Sequence, residues 1–298
     1  MLSPGHLLLI HHIGRHASLA GAARELGLTP SAVTQQVARL ERIVGAPVVE
    51  RGARGARLTR LGQAMAVEGA EISAALARSS DLVADYLNTS AGRLRVGSLA
   101  SAAVPIVAEA MAHVGLQHPA ADLSMTETGS DAGMVGVRQA ELDIAVVADY
   151  GQIGEAEGVQ VHPLMSDPLL AVLPERHDLA GASDPICLSD LAADPWVSGA
   201  PGRPHRIQQD IIVAGYGVAP RVAFETESYE VALAMVAAGI AVAVVPQLAW
   251  HELPGTVSRS IRGAPVRTLV AVTPARADHL KLAPLMLRAL RETAGSLG

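Results

Sequence analysis

The side chains best suited to chemistry near the N-terminus are Thr29, Pro30, Ser31, Thr34, Gln35, Gln36 and Arg39, a short run of hydroxyls and amides with one cation and no acid. Such groups exchange hydrogen bonds with base edges in a major groove. Arg51, Arg54 and Arg57 follow at three-residue spacing, with Arg60 next in step, and offer charge to a phosphate backbone. Read alone, the same residues also describe a small helical core with a solvated basic loop. The order of cap, turn, polar helix and arginine-rich ribbon argues for DNA.

A second set lies further along. Ser98, Ser101, Gly129, Ser130, Ser198, Arg203, Thr226 and Ser228 fall where apolar strand-like runs give way to helices. Small hydroxyls and free N–H groups at helix starts donate to a carboxylate or other oxyanion, and Arg203 adds charge. The same serines also have the ordinary role of capping helices.

Catalytic constellations are missing from the sequence. No G-x-S-x-G elbow, P-loop, G-x-G-x-x-G or H-E-x-x-H occurs, and Gly129, Gly133 and Gly136 have the wrong spacing for a dinucleotide fingerprint. His12 and His16 stand one helical turn apart, but no sequence neighbour supplies a carboxylate or cysteine to complete a metal site. Cys187 is the single cysteine, so neither an internal disulfide nor a cysteine zinc site is available; within Ile186-Cys187-Leu188 it reads as an inert apolar side chain. No enzyme, metal or cofactor is expected.

The elements that position the first set are legible. Ser18 caps a short helix with Ala22, Ala23 and Leu26 on one face, and Gly27 ends it. Thr29 caps the next, with Pro30 at its first position, where a missing N–H costs nothing. Val33, Val37 and Leu40 recur at helical spacing, leaving the polar set on the other side. Beyond Gly45, residues 47–50 and 57–59 predict two short strands joined through Gly52 and Gly55. A long helix is predicted from Thr59 to about Asn88. In it Leu61, Ile72 and Val83, and likewise Met65, Leu76 and Leu87, repeat every eleven residues. A stripe that long is poorly stable uncovered, and a second subunit is the expected cover, because two-fold DNA recognition needs two reading heads. Residues 88–92, Asn-Thr-Ser-Ala-Gly, predict a flexible joint.

The remainder alternates strand and helix. Strands are predicted at 94–99, 122–126, 144–147, 169–173, 222–225, 242–245 and 267–272, with helices near 102–115, 131–140, 204–215, 229–238 and 278–294. That order implies α/β units with ligands at strand C-terminal ends. The 298 residues are half hydrophobic and 17% charged, which suits packed domains. Charge is divided unevenly: residues 1–62 carry +5 and the rest −11. A basic module fused to an acidic body fits DNA attachment at one end and a separate task at the other. No apolar run reaches membrane-spanning length and the N-terminus lacks a signal-peptide pattern, so a cytoplasmic protein without membrane contact is expected.

Ser18, Ala22-Ala23, Ala32-Val33-Thr34, Leu40-Glu41 and Arg57-Leu58-Thr59-Arg60-Leu61-Gly62 together closely resemble the winged helix-turn-helix of LysR-type transcriptional regulators. Three positions depart from that pattern: Pro30 stands where many relatives carry glutamine, Gln35 where many carry arginine, and Leu19 in place of an aromatic. Base preferences therefore do not transfer. The body resembles the effector-binding region of the same family through residues 94–98, 141–145, 167–174 and 236–246. The resemblance implies an α+β winged helix-turn-helix domain at 1–62, a linker and dimerisation helix with hinge at 63–92, and a two-lobed α/β periplasmic-binding-protein-like effector domain at 93–298. Lobe I would hold 93–165 and 267–298, lobe II 166–266, joined by two crossing strands. It further implies double-stranded DNA, a small-molecule effector such as an organic acid or amino acid, and self-association into dimers and tetramers. A DNA-binding protein whose body holds another protein, and an enzyme with a basic head, are the alternatives.

Overall fold

The computed structural model describes the chain except residues 53–54, 87–91, 152, 154–157, 184, 264–265, 278–279 and 298, together with the side chains of 51, 52, 55, 78, 81–82, 84–86, 204 and 208. Two compact units emerge: Met1–Ser90 with Arg138–Glu141, and Ala91–Val137 with Leu142–Gly298.

The first unit opens with helices α1 (Pro4–His16), α2 (Leu19–Glu25) and α3 (Pro30–Val44). Ser18 accepts from Gly21 N at 3.3 Å and Thr29 from Ala32 N at 3.2 Å, so both caps sit where the sequence places them. Leu9, Ile10, Ile13, Ala22, Ala23, Val33, Val37 and Leu40 close a core among the three helices. Strands β1 (Val49–Gly52) and β2 (Gly55–Leu58) pair antiparallel, with Glu50 opposite Arg57. Glu41 Oε1 ties this ribbon to α3 by accepting from Val48 N at 2.9 Å and Val49 N at 3.3 Å. Helix α4 (Arg60–Tyr86) follows, and Thr59 Oγ1 caps it by accepting from Gly62 N at 3.1 Å. α1 lies on α4 so closely that a Cβ on Gly69 would land on the Leu7 carbonyl and within 2.9 Å of His11 Cβ. Ala70 and Ala74 are buried beneath, whereas Leu61, Val67, Leu76 and Val83 are exposed. Leu87 and the expected joint at 88–91 lie outside the described residues.

The second unit carries β3 (Arg93–Ser98), α5 (Ala100–Ala102), a π-helical segment (Ala103–Ala108), α6 (Glu109–Gln117), β4 (Asp122–Glu127), α7 (Ser130–Arg138), β5 (Ile144–Asp149) and β6 (Val159–Asp167). The expected helix at 102–115 is thus present, with its first turns wound as a π-helix. Pro105 has no N–H to give the ladder, which accounts for the wider π turn around it. Next come β7 (Leu169–Pro174), β8 (Pro195–Ser198), α8 (Pro204–Ala214), β9 (Arg221–Glu225), α9 (Tyr229–Ala237), β10 (Ala243–Pro246), β11 (Thr256–Ser260), β12 (Arg267–Pro274) and α10 (Ala283–Ser296).

Five strands form one sheet in the order β4-β3-β5-β12-β6, parallel through β4, β3 and β5 and antiparallel at β12 and β6. On β5, Ile144 and Val146 face one cluster with α6 and α10, while Ala145 and Val147 face another with α7. Burial on both faces is why this strand reads as an unbroken apolar run. A second group holds β10-β7-β11 and the parallel pair β8-β9, linked by a bridge from Trp196 to Val242. The chain passes between the two groups twice, from β6 into β7 and from β11 into β12.

Candidate functional site

Helix α3 turns Val33, Val37 and Leu40 inward and leaves Ser31, Gln35, Gln36 and Arg39 exposed, with Thr34 half-buried beside them. Thr29 is committed to the cap and also hydrogen-bonds Ser31 Oγ at 3.0 Å; Pro30 opens the helix. Arg57 is exposed on β2. The Arg51 side chain and all of Arg54 lie outside the described residues. The exposed face therefore carries two amides, a hydroxyl and a guanidinium without a carboxylate among them.

One sequence expectation about the histidines is corrected here. A carboxylate does meet them: Glu25, brought over on α2, lies 3.2 Å from His12 Nδ1, hydrogen-bonds His16 Nε2 and pairs with Arg15 Nη1 at 2.8 Å. Burial alone would raise the Glu25 carboxyl, but His16, Arg15 and His12 together hold it below the ordinary range. Among the described residues no group of His, Cys, Asp and Glu is arranged to hold a metal ion. The cluster fastens α1 to α2.

In the second unit the eight expected ligand positions separate by what their atoms already do. Ser98 is buried and donates to the Leu99 carbonyl at 3.0 Å. Ser130 Oγ bridges the amide and carbonyl of Ala148, at 3.1 and 3.2 Å, and so fastens α7 to β5. The Gly129 carbonyl receives Gly133 N at 2.8 Å. Thr226 Oγ1 accepts from Ser228 N at 3.1 Å, and Ser228 Oγ caps α9 through Val231 N at 3.3 Å. Arg203 is exposed at the start of α8. Ser101 and Ser198 differ from the rest. Ser101 Oγ accepts from Arg267 Nη2 at 2.8 Å, and Ser198 Oγ is fully buried with no hydrogen-bond partner among the described residues.

Around these two stands a polar cluster that local sequence did not announce. Arg267 and Asp167, 1% and 0% exposed, pair through Arg267 Nε at 2.9 Å and again through Nη2. Asp167 Oδ1 also accepts from Leu248 N at 3.1 Å. Tyr229 lies within electrostatic reach of Arg267, Tyr150, Asp167 and Glu227. Burial pushes its phenol up to about 12; Arg267 opposes that shift, and Tyr150, Asp167 and Glu227 add to it. Its ring tilts against that of His205, with centroids 4.7 Å apart. Burial holds the His205 imidazole below its usual range, more than the Thr226 carbonyl and Glu227 raise it. Glu227 Oε1 and both amide atoms of Gln209 are buried without hydrogen-bond partners among the described residues. The local signal was Arg267 at the head of the largely apolar β12; β6, which carries Asp167, has no such pattern. Both strands belong to the first sheet, whereas Ser198, His205, Glu227 and Tyr229 come from the second group, so the cluster gathers where the two groups meet.

Comparison with known proteins adds sequence relationships to this geometry. Residues 4–63 match the family model described as bacterial regulatory helix-turn-helix protein, lysR family, and residues 88–295 match the LysR substrate binding domain. The small neutral protease regulatory protein of Streptomyces lividans is 31% identical over 292 residues, covering 92% of this chain and 78% of that protein. The regulator GbpR of Rhizobium radiobacter is 25% identical over 245 residues, covering 81% of this chain and 80% of its own length. Among solved structures, a full-length OxyR variant from Pseudomonas aeruginosa superposes with a TM-score of 0.68 at 20% identity, covering 98% of this chain and 95% of its own. Full-length CbnR complexed with its target DNA gives 0.59 at 19% identity, covering 98% and 100%.

Proposed function

Because this chain belongs to the LysR family, and is therefore a DNA-binding transcriptional regulator with a substrate-binding domain rather than an enzyme, we propose how its residues divide that work. Ser31, Thr34, Gln35, Gln36 and Arg39 read bases, Thr29 and Pro30 set the start of the reading helix, and Arg51, Arg54 and Arg57 hold phosphates. The observation that carries this is the exposed, acid-free face of α3 beside an exposed ribbon arginine. A relative solved on its target DNA supports the same use of the head.

The body senses a small metabolite where its two groups of strands meet. Support comes from polar atoms that a packed core does not explain: Ser198 and Gln209 are buried and unpartnered among the described residues, and the buried Arg267–Asp167 pair lies within electrostatic reach of Tyr229 in the same group of strands and helices as Ser198. Buried polar atoms are nearly always satisfied, so an unpaired set marks a place where a ligand or water completes the bonding. Ser101, Ser198, Arg203, Thr226 and Ser228 belong to that surrounding, and Ser98, Gly129 and Ser130 shape the turns beside it. A ligand preferring one arrangement of the two lobes shifts the protein by its differential affinity alone, and DNA of the matching half-site spacing tightens ligand binding by the same factor. The protein acts in the cytoplasm as a dimer or pair of dimers.

A thermal-shift screen of metabolites on the full-length chain, followed by footprinting, tests the sensor. Hits that also alter DNA binding are the expected outcome. Binding of a partner protein with no metabolite hit sinks it.

A further inference from the structure

The charges around Tyr229 do not balance. Arg267 gives one positive charge and is bound to Asp167 and to Ser101 Oγ at 2.8 Å, which leaves Glu227 without a cationic side chain against it among the described residues. The neighbouring arginines do not answer it: Arg206 pairs with Asp210 at 2.9 Å, and Arg203 is exposed. Glu227 Oε1 is buried and has no hydrogen-bond partner among the described residues. A Cβ placed on Gly199 would collide with that oxygen and lie 2.8 Å from Arg206 N, so the carboxylate sits over the first turn of α8. An anion is favoured at a helix N-terminus, and here the protein's own carboxylate already takes that place. A ligand carrying only carboxylates would therefore enter against a like charge and find the nearest buried cation already paired.

Resting on the sensor reading above, we propose that the effector is an amine, whose ammonium or guanidinium group pairs with Glu227 beside the rings of Tyr229 and His205. An opposite charge would give the half-buried Glu227, whose Oε1 is shut off from water, the ion partner that its surroundings do not supply, and an aromatic face attracts a cation further. Ser198 Oγ and the Gln209 amide, 0% and 1% exposed, complete the hydrogen bonding of the ligand's remainder. A simple diamine and an amino acid both meet these requirements. A mono- or dicarboxylic acid without an amine does not. Gly199 is part of the same design, since its bare Cα leaves the room that Glu227 occupies.

The test is calorimetry on the full-length protein with two panels: L-lysine, L-arginine, L-ornithine, putrescine and agmatine against glutarate, adipate and benzoate. At least one member of the first panel should bind. Glu227→Gln should weaken it ten-fold or more, and Glu227→Asp, which keeps the charge, should recover part of the loss. Should Glu227→Gln fail to fold, the Asp variant and the panels still decide. An acid from the second panel that binds while every amine fails overturns the amine assignment and leaves the sensor standing. So does an amine whose affinity Glu227→Gln leaves unchanged. Silence from both panels counts against the sensor itself.

Discussion

Arg267 and Asp167 are register partners on β12 and β6, a hundred residues apart in sequence, and their side chains pair at the two places where the chain passes between its groups of strands. Both are almost wholly buried, so neither charge can be left without the other. The pair ties the outgoing and returning crossings together.

Arg267→Ala should therefore strand the Asp167 carboxylate and cost about 3–5 kcal/mol in urea unfolding. Arg267→Met combined with Asp167→Leu removes both charges and should cost clearly less than the single change. If the double variant is no more stable than Arg267→Ala, the loss lies in packing rather than in an orphaned charge.

Gly69→Ala sets two effects against each other. Alanine is favoured over glycine in a helix interior by about 1 kcal/mol. The new methyl would meet the Leu7 carbonyl, which is backbone and cannot swing aside, and overpacking of that kind costs about 1–3 kcal/mol. The net result should be a destabilised first unit, read as a lower unfolding temperature of a fragment ending before residue 91. A rise in that temperature would mean that α1 yields easily.

What sequence made legible follows from how each feature is encoded. Thr29 and Pro30 act on their own helix, so cap and start are written within a few residues. β5 and β7 are apolar on both faces and show as runs. β6, β8 and β11 were not foreseen: β6 and β11 are edge strands of their sheets, and β8 has four residues. Pro163 sits in β6 without harm because an edge has no second neighbour to receive an N–H, and the Thr-Val-Ser-Arg-Ser of β11 is only half covered. Glu25 beside His12 and His16, and Glu227 beside Tyr229 and Gly199, arise from helix packing and turns, which no local pattern records.

For the reading helix, Gln35→Ala should relax preference at one or two base positions by about 1–3 kcal/mol of discrimination and leave random-sequence binding nearly unchanged. Arg57→Ala should weaken binding to all sequences and lower the slope of log affinity against log salt by about 0.9 per lost phosphate contact. Equal losses on cognate and random DNA for the glutamine variant would reverse its assignment.

The exposed row on α4 gives a test of assembly. Leu76 and Val83 are each 54% exposed and Leu61 40%, and at 3.6 residues per turn the three share one face of the helix, an apolar row suited to a covering partner. Leu76→Glu should lower the sedimentation coefficient toward that of a single chain and weaken binding to a palindromic site more than to a half-site. Unchanged size and affinity would place the interface elsewhere.

Acid should loosen the body through His205. Its imidazole is held below the ordinary value of 6.5 by burial, so above that pH both folded and unfolded chains carry it neutral. Below it the unfolded chain takes up a proton that the folded chain refuses, and stability is lost as pH falls toward the folded value. His162 on β6 is lowered for the same first reason and adds to the slope. The urea midpoint should decline from pH 7.5 to 5.5, and less steeply in His205→Gln. Parallel slopes for the two proteins would show that His205 carries no depressed value.

The close seat of α1 on Gly69 joins α1 and the 27-residue α4 into one stiff arm. At about 1.5 Å per residue that arm is about 40 Å long. A swing of about 5° at its far end carries the DNA-facing end about 3.5 Å, close to the ~3.4 Å advance of one nucleotide along a strand. Small rotations of such an arm would become whole steps along the double helix, with the leverage set by a glycine at the contact between α1 and α4.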